Sequence, residues 1–148
     1  MSYFTNKVII YHIIPKIGIT FFMKLPLTYQ EELYMNTTKL LNETLQSLGI
    51  SKRYKGYRQL QLSVELALDD ESRLQCITEN IYNQVAEMCN CECFHIERNI
   101  RTVASHAWKV NSQKLTEIAG YTLCSSPSVS ELISILVTYI ERNRTDIY

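Results

Sequence analysis

Residues 89 to 105 hold most of the side chains in this chain that could do chemistry. Cys89, Cys91 and Cys93 alternate with other residues, and His95 follows two places on. Sulfur and imidazole donors together suit a soft metal or a redox site, but a zinc knuckle wants two residues between its cysteines rather than one. Two of these cysteines also fall where a helix-turn-helix wants small apolar side chains. A thiol or metal sensor on Cys89, Cys91 and Cys93 therefore carries the least weight of the readings considered. Just downstream stand Glu97, Arg98 and Arg101. Arginine pairs with guanine through two hydrogen bonds, and glutamate accepts from a cytosine amine, so this group could read base edges. The same residues also fit a solvated helix face on which Glu97 and Arg101 pair at i, i+4.

Catalytic patterns are not found. His12, His95 and His106 have no cysteine or serine in a nucleophile–base arrangement. Ser125-Ser126 lacks the glycine context of a nucleophile turn, and there is no glycine-rich phosphate loop. Neither enzymatic activity nor a cofactor is expected.

The elements that must position residues 89–105 follow from hydrophobic spacing. Leu40, Leu41, Leu45 and Leu48 make a helical stripe over Thr37–Leu48, stopped by Gly49. Leu60, Val64, Ala67 and Leu68 make another over Tyr57–Leu68, after Gly56. Asp69-Asp70-Glu71 is a polar break that can cap the next helix. Leu74, Ile77, Ile81, Val85 and Cys89 predict that helix, broken near Asn83. Cys91–Lys109 is the most regular helix, Asn111–Ile118 a short one ended by Gly120, and Val129–Arg142 an amphipathic last one after Pro127.

Within this series, residues 82–101 (YNQVAEMCNCECFHIERNIR) fit a helix-turn-helix. Ala86 is the small residue where a second helix crosses. Asn90 tolerates the left-handed conformation that the turn needs. At about 100° per residue, Ile96, Ile100, Val103, Ala104 and Ala107 share one face of the second helix. Phe94, Arg98, Arg101, Thr102 and Ser105 share the other, with His95 and Glu97 at its margins. Any helical hairpin shows similar spacing, so periodicity alone leaves both readings open. Trp108 and Tyr57 read as packing residues.

The ordered set Lys55-Gly56-Tyr57, Ile77-Thr78 with Ile81-Tyr82 and Val85-Ala86, Ile96-Glu97-Arg98 with Ile100-Arg101 and Ala107-Trp108, Gly120-Tyr121-Thr122, and Pro127 with Ser130-Glu131-Leu132-Ile133 resembles one known family. It is the C-terminal effector domain of the sporulation-initiation response regulator of endospore-forming bacteria. The resemblance runs from about residue 37 to 142. It implies a six-helix domain containing a helix-turn-helix that reads duplex DNA in the major groove, usually as a head-to-tail pair. It places base reading on His95, Glu97 and Arg98, and phosphate contacts on Arg101 and Thr102. It also implies a homodimer or tandem pairing on DNA, and RNA polymerase or a full-length regulator as partners.

Several positions depart from the family. His95 replaces an arginine and Thr102 a histidine; Glu87 and Met88 stand for two lysines, and Cys91 and Glu92 for two threonines of the turn. The loop Cys124-Ser125-Ser126 carries no lysine. Residues 37–144 hold 12 basic and 12 acidic residues. Phosphate contacts supply most non-specific affinity, so weakened or altered DNA binding is expected. A second reading from a different class keeps the fold but makes the domain a protein-interaction module that pairs with or antagonises a full-length regulator.

Before residue 36 the character differs. Val8–Ile14 and Ile17–Met23 are β-branched and aromatic runs that read as one or two β-strands. Gly18–Leu27 (GITFFMKLPL) resembles the last strand and loop of a receiver domain, although the Lys-Pro pair expected there reads Leu25-Pro26. The first aspartate in the chain is Asp69, so no aspartate in this segment could accept a phosphoryl group. An unrelated hairpin or a hydrophobic dimerisation patch explains the segment equally well. The expected organisation is a short segment over 1–36 and then an effector domain over 37–144.

Composition agrees with this picture. The chain has 148 residues, 46% hydrophobic and 20% charged, with 15 basic and 15 acidic side chains. Such a chain is globular and is not a polyelectrolyte binder. Five cysteines and no secretory signal point to a reducing cytoplasm. His12, Pro15, Lys16 and Lys24 interrupt Val8–Leu27, which argues against a membrane span.

Overall fold

The computed structural model describes residues 27–144, all of whose regular elements are helical. They are α1 (Leu27–Ser47), α2 (Lys55–Asp69), a 3-10 turn (Glu71–Cys76), a π turn (Thr78–Tyr82), α3 (Asn83–Cys89), α4 (Cys93–Ala119) and α5 (Val129–Arg144). The strands expected within residues 8–23 lie outside the described residues. The apolar stripes of all the helices meet in one core. Leu41, Leu45, Leu60, Val64, Ile81, Val85, Ile96, Ile100, Leu132 and Leu136 are each fully buried there. Trp108 packs half-buried against it, and Tyr57 is buried with its hydroxyl donating to Asn42 Oδ1 at 2.8 Å.

Three local features differ from the spacing-based expectation. First, α1 begins at Leu27 rather than Thr37, so the expected division at residue 36 falls inside a helix. Pro26 precedes it in the sequence, and Glu31, Glu32, Leu33 and Met35 are good helix formers that a search for apolar stripes passes over. Second, the stretch Leu74–Cys89 is not one regular helix. Asp70 Oδ1 accepts from the Ser72 N–H at 3.0 Å and so starts a tight 3-10 turn. The Asn83 N–H then reaches back to the Thr78 carbonyl, a π-type bond. Arg73 ties the turn down: it pairs with the buried Asp69 at 3.1 Å and donates to Gln84 at 3.1 Å.

Third, the two helices expected over Cys91–Lys109 and Asn111–Ile118 are arms of one element, α4, bent at Asn111 (φ −150°, ψ 63°). The Asn111 side chain accounts for the bend. Its Oδ1 accepts from the Lys114 N–H at 3.2 Å, capping the second arm, and its Nδ2 donates to the Ser47 carbonyl of α1 at 3.3 Å. Counting the two arms, the described residues hold the six rods expected. Gly120, at φ 77°, closes the second arm.

Candidate nucleic-acid interface

The helix-turn-helix is formed by α3, the turn Asn90–Glu92 and the first arm of α4. Asn90 adopts φ 51° and ψ 52°, left-handed as its type allows. The Cys91 N–H then bonds back to the Ala86 carbonyl at 3.0 Å, which closes α3. The next helix starts without a side-chain cap: its N-cap is Glu92, which makes no capping bond. Such a cap is ordinarily worth about 1 kcal/mol, so the first turn of α4 is held mainly by packing.

That packing is specific. Ile96 and Ile100 are fully buried. Gly56 at the start of α2 lets the two helices touch: a Cβ there would lie 2.5 Å from the Asn99 carbonyl oxygen and 2.6 Å from Val103 Cγ2. Buried Gln59 accepts from Asn99 Nδ2 at 3.0 Å and points its amide at Cys91 Sγ, 3.9 Å away. One α2 side chain thus fixes both the turn and α4. Further along, the Tyr54 hydroxyl bonds His106 Nδ1 at 3.2 Å, and His106 Nε2 lies 3.2 Å from the Gly49 carbonyl. These fit a ring that donates from Nε2 and accepts at Nδ1.

The outward face of α4 carries the expected side chains. Arg98, Arg101 and Thr102 are exposed, while His95 and Glu97 are half-buried at the margins. The Arg98 guanidinium has no hydrogen-bond or ion-pair partner among the described residues. Arg101 is different, because Glu97 holds it in the i, i+4 ion pair anticipated from the spacing. An exposed pair of this kind is worth only about 0.3–0.5 kcal/mol, so a phosphate can displace it. Phe94 is 61% exposed and lies against the His95 ring at 4.0 Å between centroids.

Beside this face, α2 and α4 border an open groove of about 930 Å³. Lys55, Arg58, His95 and Arg98 line it, and none of its lining residues is acidic. Neither Lys55 nor Arg58 was among the DNA-contacting residues expected from the sequence. Their signal is the run Lys52-Arg53-Tyr54-Lys55-Gly56-Tyr57-Arg58, four cations in seven residues without an acid. Over the turn between α3 and α4 lies a smaller hollow bordered by Glu87 and Glu92 and by no cation.

The cysteines do not assemble into a metal centre: no group of three His, Cys, Asp or Glu among the described residues is arranged to hold an ion. Burial, with the neighbouring Cys91, pushes the Cys89 thiol up; burial and Glu97 push up Cys93. Both changes disfavour the thiolate that would bind metal or react. The buried acid of α2, Glu65, is pushed up to about 7 by burial, with Arg58 offsetting part of the effect. No described helix is long and apolar enough to cross a membrane.

The family model for sporulation initiation factor Spo0A, C terminal, matches residues 41–140. This span takes in the helix-turn-helix and most of the core. No solved structure matches the chain.

Proposed function

The chain belongs to the sporulation initiation factor Spo0A C-terminal family, a DNA-binding regulatory family, and from that premise we propose that it is a transcriptional regulator that binds duplex DNA sequence-specifically. The first arm of α4 enters the major groove. Arg98 reads guanine, Glu97 accepts from a cytosine amine, His95 donates to a neighbouring base, and Arg101 and Thr102 meet phosphates. The observation that carries this reading is the unpartnered, exposed Arg98 on a helix whose other face is locked by fully buried Ile96 and Ile100. A rigid rod presenting a free guanidinium is preorganised for a bidentate base contact.

Binding is weaker than a fully basic helix would give. Glu87 and Glu92 flank the groove-facing helix, and Arg101 must leave Glu97 before it meets a phosphate. The acidic hollow, together with the exposed Met88 at the edge of the neighbouring groove, favours a second reading as a module that pairs with another regulator. A mobility-shift titration against duplex at low and rising salt separates the two. DNA binding predicts retention that declines steeply with salt, and a loss of about 5- to 150-fold for Arg98→Ala on its preferred site, from about 1–3 kcal/mol per bidentate contact. The interaction module predicts no retention at any salt, with capture of a full-length regulator in a pulldown.

A further inference from the structure

The surface around the start of α4 is electrostatically lopsided. On the α2 side, Lys55, Arg58 and Arg98 share one groove with His95 and no acid. Arg58 is steadied by a neutral partner, Gln61 Oε1 at 3.1 Å, which leaves its charge uncompensated by that contact. Lys55 is exposed and precedes Gly56, where α2 presses closest on α4. The segment cannot swing freely, because Tyr54 bonds His106 and Tyr57 bonds Asn42 on either side of it. Over the turn between α3 and α4, by contrast, Glu87 and Glu92 border a smaller hollow that no cation lines. A polyanion lying against α4 is drawn toward the groove that gathers these cations.

We propose that Lys55 and Arg58 are phosphate-contacting residues of the DNA interface, so that one strand's backbone runs through the groove that α2 and α4 border. This rests on the DNA-binding reading and adds a contact surface outside α4. It also explains how a domain of zero net charge could hold a duplex. Lys55, Arg58 and Arg98 are gathered along one groove, within reach of a single backbone. Phosphate contacts fix register and affinity but not sequence.

The test is the salt dependence of duplex binding by the full chain, with random-sequence and selected duplexes. The double variant Lys55→Ala/Arg58→Ala should lower the slope of log K against log salt by about 1.8, or about 0.9 for each lost contact. Affinity should fall alike on both duplexes, and the base preference should stay the same. The charge-keeping pair Lys55→Arg/Arg58→Lys should retain the slope, and Glu87→Gln/Glu92→Gln should leave it unchanged. Both cations are exposed, so an unchanged thermal melt serves as the folding control. An unaltered slope in a folded Ala variant that still binds duplex overturns the proposal and leaves the DNA-binding reading intact. Absence of duplex binding by the unsubstituted chain at low salt overturns both.

Discussion

Replacing Glu65 by Gln should change how stability depends on pH. Glu65 sits on α2 at 4% exposure, and neither carboxylate oxygen has a hydrogen-bond partner. Burial raises its pKa from 4.5 to about 7. Between those values the folded state holds a proton that the unfolded state has released, so stability falls as pH rises through the window. Below 4.5 the group is neutral in both states and contributes no penalty; above about 7 the penalty is complete. A tenfold change in proton affinity is worth about 1.4 kcal/mol, which makes the full penalty about 3 kcal/mol. Glutamine matches the shape of the protonated acid but cannot ionise. Urea unfolding of both proteins across this pH range should give a stability difference that grows in favour of Glu65→Gln by about 3 kcal/mol between the two limits. Contributions from all other titrating groups cancel in that difference. A difference that stays flat with pH would refute the reasoning, because it would mean that the carboxyl is solvated or paired in the folded protein.

Other substitutions test the scaffold and the face it presents. Gly56→Ala should destabilise by about 1–3 kcal/mol through overpacking against the Asn99 carbonyl, despite a helix-propensity gain of about 1 kcal/mol; thermal melting measures this, and an unchanged or higher Tm contradicts it. Asn90→Ala should cost about 1–2 kcal/mol because of the left-handed turn, whereas Asn90→Gly should be close to neutral in the same melt. Glu97→Gln should free Arg101, raising affinity for random duplex at low salt while relaxing any preference for cytosine at one position of a selected site; equal affinity and equal preference would show that the pair is a bystander.

Much of this arrangement was readable from local pattern because it is local in origin. The buried face of α4 (Ile96, Ile100, Val103, Ala104, Ala107) follows helical periodicity, and the left-handed Asn90 follows from residue type. The outward Arg98, Arg101 and Thr102 follow from the same wheel, and the Glu97–Arg101 pair from its i, i+4 spacing. The features that escaped were set by contacts distant in sequence or by competing backbone hydrogen bonds. The 3-10 and π turns between residues 71 and 82 keep apolar side chains inward, so their spacing still looks helical. The closeness of Gly56 to Asn99 depends on how two helices cross. Lys55 and Arg58 became part of the candidate interface only once α2 was laid beside α4, although their charges were evident in the sequence. The extension of α1 back to Leu27 escaped because its first turns lack a fully apolar stripe.

Selection of binding sites from a pool of random duplexes, run in parallel for the unsubstituted chain and for Arg98→Ala, tests most directly whether α4 reads DNA. The expected result is enrichment of a short element containing a guanine that the unsubstituted chain requires and Arg98→Ala does not, with the rest of the element kept. Failure to enrich any element, or enrichment of one that is indifferent to Arg98, would contradict the assignment of α4 as a base-reading helix.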